Sequence, residues 1–109
     1  MGNPTLDLHP AAADALGYIA NQIRIERTAR QLTQKRLAHM VRCSPNTIRA
    51  IEDASPGCAI GTVFACCTVL GIPLLYEEAE YVRTRRRDGD TVVSLLPRRV
   101  QPMVIDDDF

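Results

Sequence analysis

Two short helical segments joined by only three or four residues constrain the fold of this chain most strongly. The first predicted helix, Gln34–Val41, follows Thr33, which is a favourable N-cap residue. The second begins where Ser44 supplies a cap and Pro45 occupies the first helical position, and it continues to about Asp53. Since so short a connection keeps consecutive helices side by side, the sequence predicts a helix-turn-helix over these residues.

Small and apolar side chains surround the predicted turn. Ala38 lets the two helices approach closely, Cys43 fills the turn, and Ile48 packs back onto the first helix. This packing leaves outside a polar stretch made up of Ser44, Pro45, Asn46, Thr47 and Arg49. The stretch lies at the positive end of a helix, where phosphate binds favourably. Its amide and guanidinium groups can also pair bidentately with adenine and guanine edges, which indicates DNA binding.

The remaining segments predict an all-α fold around this pair. Helices are expected over residues 14–30, 34–41, 44–53, 59–70 and 74–86, from apolar residues at three- and four-residue spacing. In the fourth of them, the residues expected to face inward are Ile60, Val63, Phe64, Cys67 and Leu70. A turn at residues 88–90 and a strand at residues 91–96 follow. We therefore expect a flexible lead-in over residues 1–13, a compact five-helix domain over 14–87, and a short strand with an extended acidic tail over 88–109.

Charge is unevenly distributed along a chain whose formal net charge is zero. Residues 14–53 contain seven basic and four acidic residues, a net charge of +3, whereas residues 54–109 carry a net charge of −2. Twelve of the 13 basic residues are arginine, whose forked guanidinium suits phosphate and guanine. A basic amino-terminal half favours an anionic partner for that half.

Several other classes of function lack their sequence signals. The four cysteines and two histidines have no metal-ligand spacing, so we expect reduced cysteines and no metal or cofactor. A serine–histidine–acid set and a glycine-rich phosphate loop are also missing, which argues against an enzyme. The sequence contains no signal peptide or membrane span, so we expect a cytoplasmic, nucleoid-associated protein without membrane contact.

Four segments resemble the XRE (lambda-repressor/Cro-like) helix-turn-helix family. They are residues 23–27, 32–38, 43–52 and 70–72, and the resemblance extends over about residues 14–75. Within that family, residues 55–62 and 96–100, followed by an acidic, aromatic terminus, resemble HipB-like antitoxins. The resemblance implies a homodimer that binds double-stranded operator DNA, represses transcription of its own operon, and restrains a HipA-like serine/threonine kinase toxin.

The resemblance also implies a role for each site residue. Gln34 is expected to contact phosphate, and Thr33 and Thr47 to clamp the DNA backbone. The base-facing positions are held by Ser44, Pro45, Asn46 and Arg49. Arg27 and Glu52 are expected to form a structural ion pair, and Phe109 is the candidate for docking into the kinase.

Two positions depart from the family pattern. Arg42 stands where glycine is usual because the backbone there tends to be left-handed, which costs a non-glycine residue about 1–2 kcal/mol; Arg42 can offset this cost by reaching a phosphate. Pro45 stands where a hydrogen-bonding side chain is common and can offer only apolar contact. Base specificity is therefore expected to depend on Asn46 and Arg49.

Alternatives remain at the level of the sequence. The chain could be a stand-alone or prophage XRE-family repressor without a toxin partner, or a protein-interaction adaptor that does not bind DNA. The arginine-rich run at residues 83–87 could neutralise a helix end, grip flanking DNA or be solvated. The strand at residues 91–96 is expected to pair with a second subunit, with packing on its own core as the alternative.

Overall fold

The computed structural model describes residues 7–100 and residue 102, and every regular element among them is helical. The helices are α1 (Pro10–Ala29), α2 (Gln34–Val41), α3 (Pro45–Glu52), α4 (Ile60–Val69) and α5 (Ala79–Ser94), with one 3-10 turn at Leu74–Tyr76. The chain divides into two units between Tyr76 and Glu77. The predicted all-α class is therefore confirmed, whereas α5 continues through residue 87, where the sequence predicted a domain boundary.

The core of the first unit lies where α1, α2, α3 and α4 meet. Its buried residues are Ile23, Leu37, Ala38, Ile48, Ile51, Val63, Cys66, Cys67 and Leu70. The predicted inward face of α4 is only partly correct, because Ile60 and Phe64 are exposed while Cys66 is fully buried. None of the described helices is long and apolar enough to cross a membrane.

Helix α1 begins four residues before the predicted start at Asp14, within the expected lead-in. His9 caps it, since the His9 Nδ1 accepts a hydrogen bond from the Ala11 backbone N–H at 3.1 Å. Pro10 follows at the first helical position, where its missing N–H costs nothing. The cap and the proline together explain the earlier start; the rest of the predicted lead-in, residues 1–6, lies outside the described residues.

The predicted strand at residues 91–96 is wrong, because residues 91–94 form the last turn of α5 and Leu95 caps it. The β-branched residues there favour a strand by propensity alone. The helix nevertheless passes through the predicted turn at residues 88–90, where Arg86 and Asp90 form an ion pair one turn apart (3.4 Å). The fifth helix also starts later than predicted, since Leu75 has a left-handed backbone (φ 56°) that interrupts any helix through residues 74–76.

Candidate nucleic-acid interface

Helices α2 and α3 begin at the predicted positions because each has a side-chain cap. The Thr33 hydroxyl accepts a hydrogen bond from the Arg36 backbone N–H at 2.9 Å. The Ser44 hydroxyl accepts one from the Thr47 backbone N–H at 3.1 Å, and Pro45 occupies the first position of α3. Each cap satisfies a backbone donor that the helix itself cannot pair, so the start of each helix is fixed.

The turn between the two helices reverses the chain at Arg42. This residue has a left-handed backbone (φ 60°, ψ 49°), the conformation expected there. The Cys43 backbone N–H then donates to the Ala38 carbonyl at 2.9 Å, which closes the end of α2. Cys43 packs against the core, and Leu37 and Ile48 are fully buried, so the two helices are held together by apolar contact.

The outer surface of α3 carries the residues predicted to face bases. Ser44, Pro45, Asn46 and Arg49 are all exposed, and Thr47 is half-buried. The Thr47 and Ser44 hydroxyls lie 2.9 Å apart, so both belong to the cap as well as to the surface. Asn46 and Arg49 are therefore the longest hydrogen-bonding side chains that this surface presents to solvent.

A buried carboxylate ties α3 to α1 on the opposite side. The Arg27 guanidinium donates to both oxygens of Glu52, from Nε to Oε2 at 2.6 Å and from Nη2 to Oε1 at 2.9 Å. Its Nη1 also donates to the Leu32 carbonyl at 2.7 Å, in the loop that leads to α2. The two side chains predicted to pair thus form a bidentate contact, and together they connect α1, the loop before α2, and α3.

Two further residues contact Glu52, and the sequence indicated neither contact. Gln34 Nε2 donates to Oε1 at 3.1 Å, and Arg24 Nε donates to the same oxygen at 3.3 Å. The predicted phosphate ligand Gln34 therefore uses its amide inside the protein, at the start of α2. Arg24 could have been found, since it lies one turn before Arg27 on the same face of α1.

The surroundings of Glu52 keep its carboxyl ionised. Burial alone would raise its pKa, but hydrogen bonds from Arg27, Gln34 and Arg24 and the positive charge of Arg27 together lower the pKa below its ordinary value. The hydrogen bond between Arg27 and Glu52 in turn raises the pKa of Arg27. Both groups are charged at neutral pH, and the pair has a structural role.

Four basic residues of α2, the turn and α3 have no acidic partner among the described residues. They are Lys35, Arg36, Arg42 and Arg49, all of which are exposed. Lys35 and Arg36 line a shallow depression of about 290 Å³ together with Thr33 and His39. Sequence reasoning missed Lys35 and Arg36 because their only signal was the overall basic charge of this half.

The other chemically active side chains form no site in the described part of the chain. No group of three His, Cys, Asp or Glu residues there is placed to hold a metal ion. Burial raises the pKa of the Cys66 thiol to about 12, with smaller contributions from neighbouring groups, so this cysteine stays protonated. The predicted docking residue Phe109 lies outside the described residues.

Comparisons with protein-family models, curated proteins and solved structures found no match.

Proposed function

We propose that this chain is a sequence-specific DNA-binding transcriptional repressor that places α3 in the major groove. The supporting observation is the two-sided character of α3: its inner side is fixed by Ile48 and Glu52, and its outer side presents Asn46 and Arg49 to solvent. An α-helix with side chains is about 10–12 Å across, which fits a major groove about 12 Å wide. In this orientation α2 and α3 form a DNA-binding helix-turn-helix.

Asn46 and Arg49 are the proposed base readers. An asparagine amide pairs bidentately with adenine, and an arginine guanidinium with guanine. Both side chains are exposed on a helix whose start is fixed by the Ser44 cap, so the backbone positions that carry them are well defined. Pro45 and Ser44 lie at the same end and can make only short contacts, such as an apolar contact with a thymine methyl group.

The unpaired cations are the proposed phosphate ligands. Lys35 and Arg36 lie in the first turn of α2 and Arg42 lies in the turn before α3. None of them has an acidic partner in the described chain, so DNA binding does not require them to break an existing ion pair. The backbone N–H of Gln34, at the start of α2, is a further donor suited to a phosphate oxygen. Its side chain fixes the position of that backbone through Glu52 rather than contacting DNA.

Selection from a random DNA library, followed by fluorescence anisotropy on the selected site, tests the proposal. We expect an inverted repeat to be selected, and we expect binding to weaken steeply with salt as counterions are released. A scrambled duplex of the same length is the control. Equal affinity for both duplexes would contradict sequence-specific regulation, and no retention on DNA at low salt would favour the adaptor alternative.

The resemblance of the chain to HipB-like antitoxins supports a more specific form of the proposal, in which the repressor also restrains a HipA-like kinase. A kinase-like reading frame beside the gene would favour this form over a stand-alone repressor. A pull-down of that kinase with the whole chain and with a chain lacking Phe109 tests the docking residue. Equal recovery with both chains would remove Phe109 from the interface without affecting the DNA-binding proposal.

A further inference from the structure

Helix α5 has an apolar stripe that is exposed in the single chain except at the half-buried Val82. None of its residues, all of which the structure describes, is buried. Val92 and Val93 are 58% and 64% exposed, and Leu96, just beyond the helix, is 58% exposed. Apolar side chains clustered on one helix in this way mark an interaction surface.

The stripe follows the spacing of a helix–helix seam. Its positions alternate by three and four residues and consist of Ala79, Val82, Arg86, Gly89, Val93 and Leu96. Arg83 and Asp90 border one side of it, and Arg85 and Val92 the other. The long apolar stem of Arg86 can lie within such a seam while its charged end reaches the edge, where Asp90 already contacts it at 3.4 Å.

We propose that α5 pairs with α5 of a second copy of this chain in antiparallel orientation, about a two-fold axis between Arg87 and Asp88. This axis places every seam position opposite another seam position. Ala79 faces the second copy's Leu96, Val82 faces its Val93, and Arg86 faces its Gly89. Large side chains therefore oppose small ones at both ends and at the centre, where an added Cβ on Gly89 would meet nothing within its own chain.

Charge favours this orientation over a parallel one. In the antiparallel register, Arg83 and the second copy's Asp90 lie on the same side of the seam. Measured along the helix axis, they are offset by about 3 Å. Two-fold symmetry repeats the contact, which gives two ion pairs between the copies. A parallel pair would instead oppose Arg86 to Arg86 and Gly89 to Gly89, and would combine like-charge repulsion with a void.

Sedimentation equilibrium of the full chain, without DNA, tests the proposal over a dilution series. We expect a dimer, and we expect Val93→Asp to raise its Kd by about tenfold or more, since it places a charge in the seam. Thr84→Asp, on the opposite face of α5, is the matched control and should leave the Kd unchanged. Because neither side chain is buried in the single chain, both variants should retain the cooperative urea unfolding of the first unit.

A charge exchange tests the orientation. Arg83→Asp and Asp90→Arg should each weaken the dimer, and each also breaks an ion pair within its own helix, with Glu80 (3.1 Å) or Arg86 (3.4 Å). Mixing the two variants restores both contacts between the copies, so the heterodimer should form more tightly than either homodimer. A chain that is monomeric throughout the series, or a Val93→Asp chain with an unchanged Kd, would overturn the pairing. A mixture of the two variants that associates no more tightly than either variant alone would overturn the antiparallel register. The measurement uses no DNA, so its outcome is independent of the proposed DNA binding.

Discussion

Glu52 is the residue on which the geometry of the first unit depends most. Its side chain is fully buried and receives donors from Arg24, Arg27 and Gln34. A buried carboxylate that loses its main partner keeps the cost of desolvation without the compensating contact. Breaking the pair should therefore lower the free energy of unfolding strongly, even where forming it adds little. Together the contacts of Glu52 hold α1, the following loop, α2 and α3 in one arrangement.

Removing Arg27 tests how much stability the chain loses when Glu52 is buried without its main partner. We expect Arg27→Ala to lower the free energy of unfolding by about 3–5 kcal/mol, because it leaves Glu52 buried without its bidentate partner. Urea denaturation followed by circular dichroism measures the change. Arg30→Ala is the matched control, since Arg30 pairs with Glu26 at the surface of the same helix, and such exposed pairs contribute only about 0–1 kcal/mol. Equal losses in the two variants would contradict this role of Glu52.

The lowered pKa of Glu52 predicts the direction of the pH dependence. In the unfolded chain this carboxyl takes up a proton near its ordinary pKa of 4.5, whereas the folded chain keeps it ionised to lower pH. Its stabilising contribution is therefore present above pH 4.5 and is lost as the pH falls through the folded pKa. Urea midpoints between neutral and acidic pH should fall less steeply in Glu52→Gln than in the original chain. Parallel slopes would contradict the assignment.

The proposed base and phosphate contacts can be tested separately by substituting Arg49 and Arg36. We expect Arg49→Ala to cost about 1–3 kcal/mol of binding to the selected site and to relax preference at one base pair. Arg36→Ala should instead weaken binding to selected and scrambled duplexes alike and reduce the salt slope by about 1. Anisotropy on both duplexes at several salt concentrations provides the measurement. An unchanged base preference in Arg49→Ala would exclude Arg49 as a reader.

At the scale of the element, α2 and α3 were predictable because their boundaries are local. Thr33 and the Ser44–Pro45 pair fix two helix starts through contacts within three residues along the chain. The Glu52 contacts of Gln34 and Arg24 span 18 and 28 residues. The contact of Gln34 has no local signal, whereas Arg24 could be suspected only because it lies one turn before Arg27 on α1. The sequence therefore predicted which residues of α3 are exposed. Of the contacts that hold this helix in place, it predicted only the pair of Arg27 with Glu52.

The second half of helix α5 was not predictable by the same reasoning. Its last turn contains Thr91, Val92 and Val93, whose propensity favours a strand, and Gly89 with its acidic neighbours is typical of a turn. Contacts between successive turns maintain the helix, including the Arg86–Asp90 ion pair and the Thr91 hydroxyl, which donates to the Arg87 carbonyl at 3.3 Å. Propensity is a weak guide where such contacts accumulate over a long helix.

The turn between α2 and α3 gives a prediction in which stability and binding change in opposite directions. Arg42 pays the steric cost of a left-handed backbone at φ 60°. We expect Arg42→Gly to raise the free energy of unfolding by about 1 kcal/mol, and to weaken DNA binding because it removes a proposed phosphate ligand. Denaturation and anisotropy on the same samples measure the two effects.

Ala54 provides the matched control for that turn. It has the same positive φ of 60° but lies beyond α3 and carries no charge. Ala54→Gly should therefore stabilise the first unit by a similar amount and leave the affinity for DNA unchanged. If Arg42→Gly likewise leaves DNA affinity unchanged, Arg42 is not a phosphate ligand.

At the scale of the whole molecule, the two units differ in what supports them. The buried core belongs to the first unit, which also carries the proposed DNA surface. The second unit contains α5, which buries none of its described residues. A long helix without a buried face gains little from its own unit, since tertiary packing provides most helix stability in proteins. We therefore propose that the first unit recognises DNA and that the second brings two copies together.

This division of roles predicts how the affinity for an operator depends on its spacing. Two joined α3 helices should bind half-sites about 34 Å apart, one turn of the duplex, and the second contact gains from effective concentration. Inserting about 5 base pairs between the half-sites rotates them by roughly half a turn, which should lower the affinity by a factor on the order of 10²–10⁴. Val93→Asp should bind both operators equally weakly, since its copies bind independently. Anisotropy with the two operators measures this, and affinity that is insensitive to spacing in the original chain would show that the two α3 surfaces do not act as one dimer.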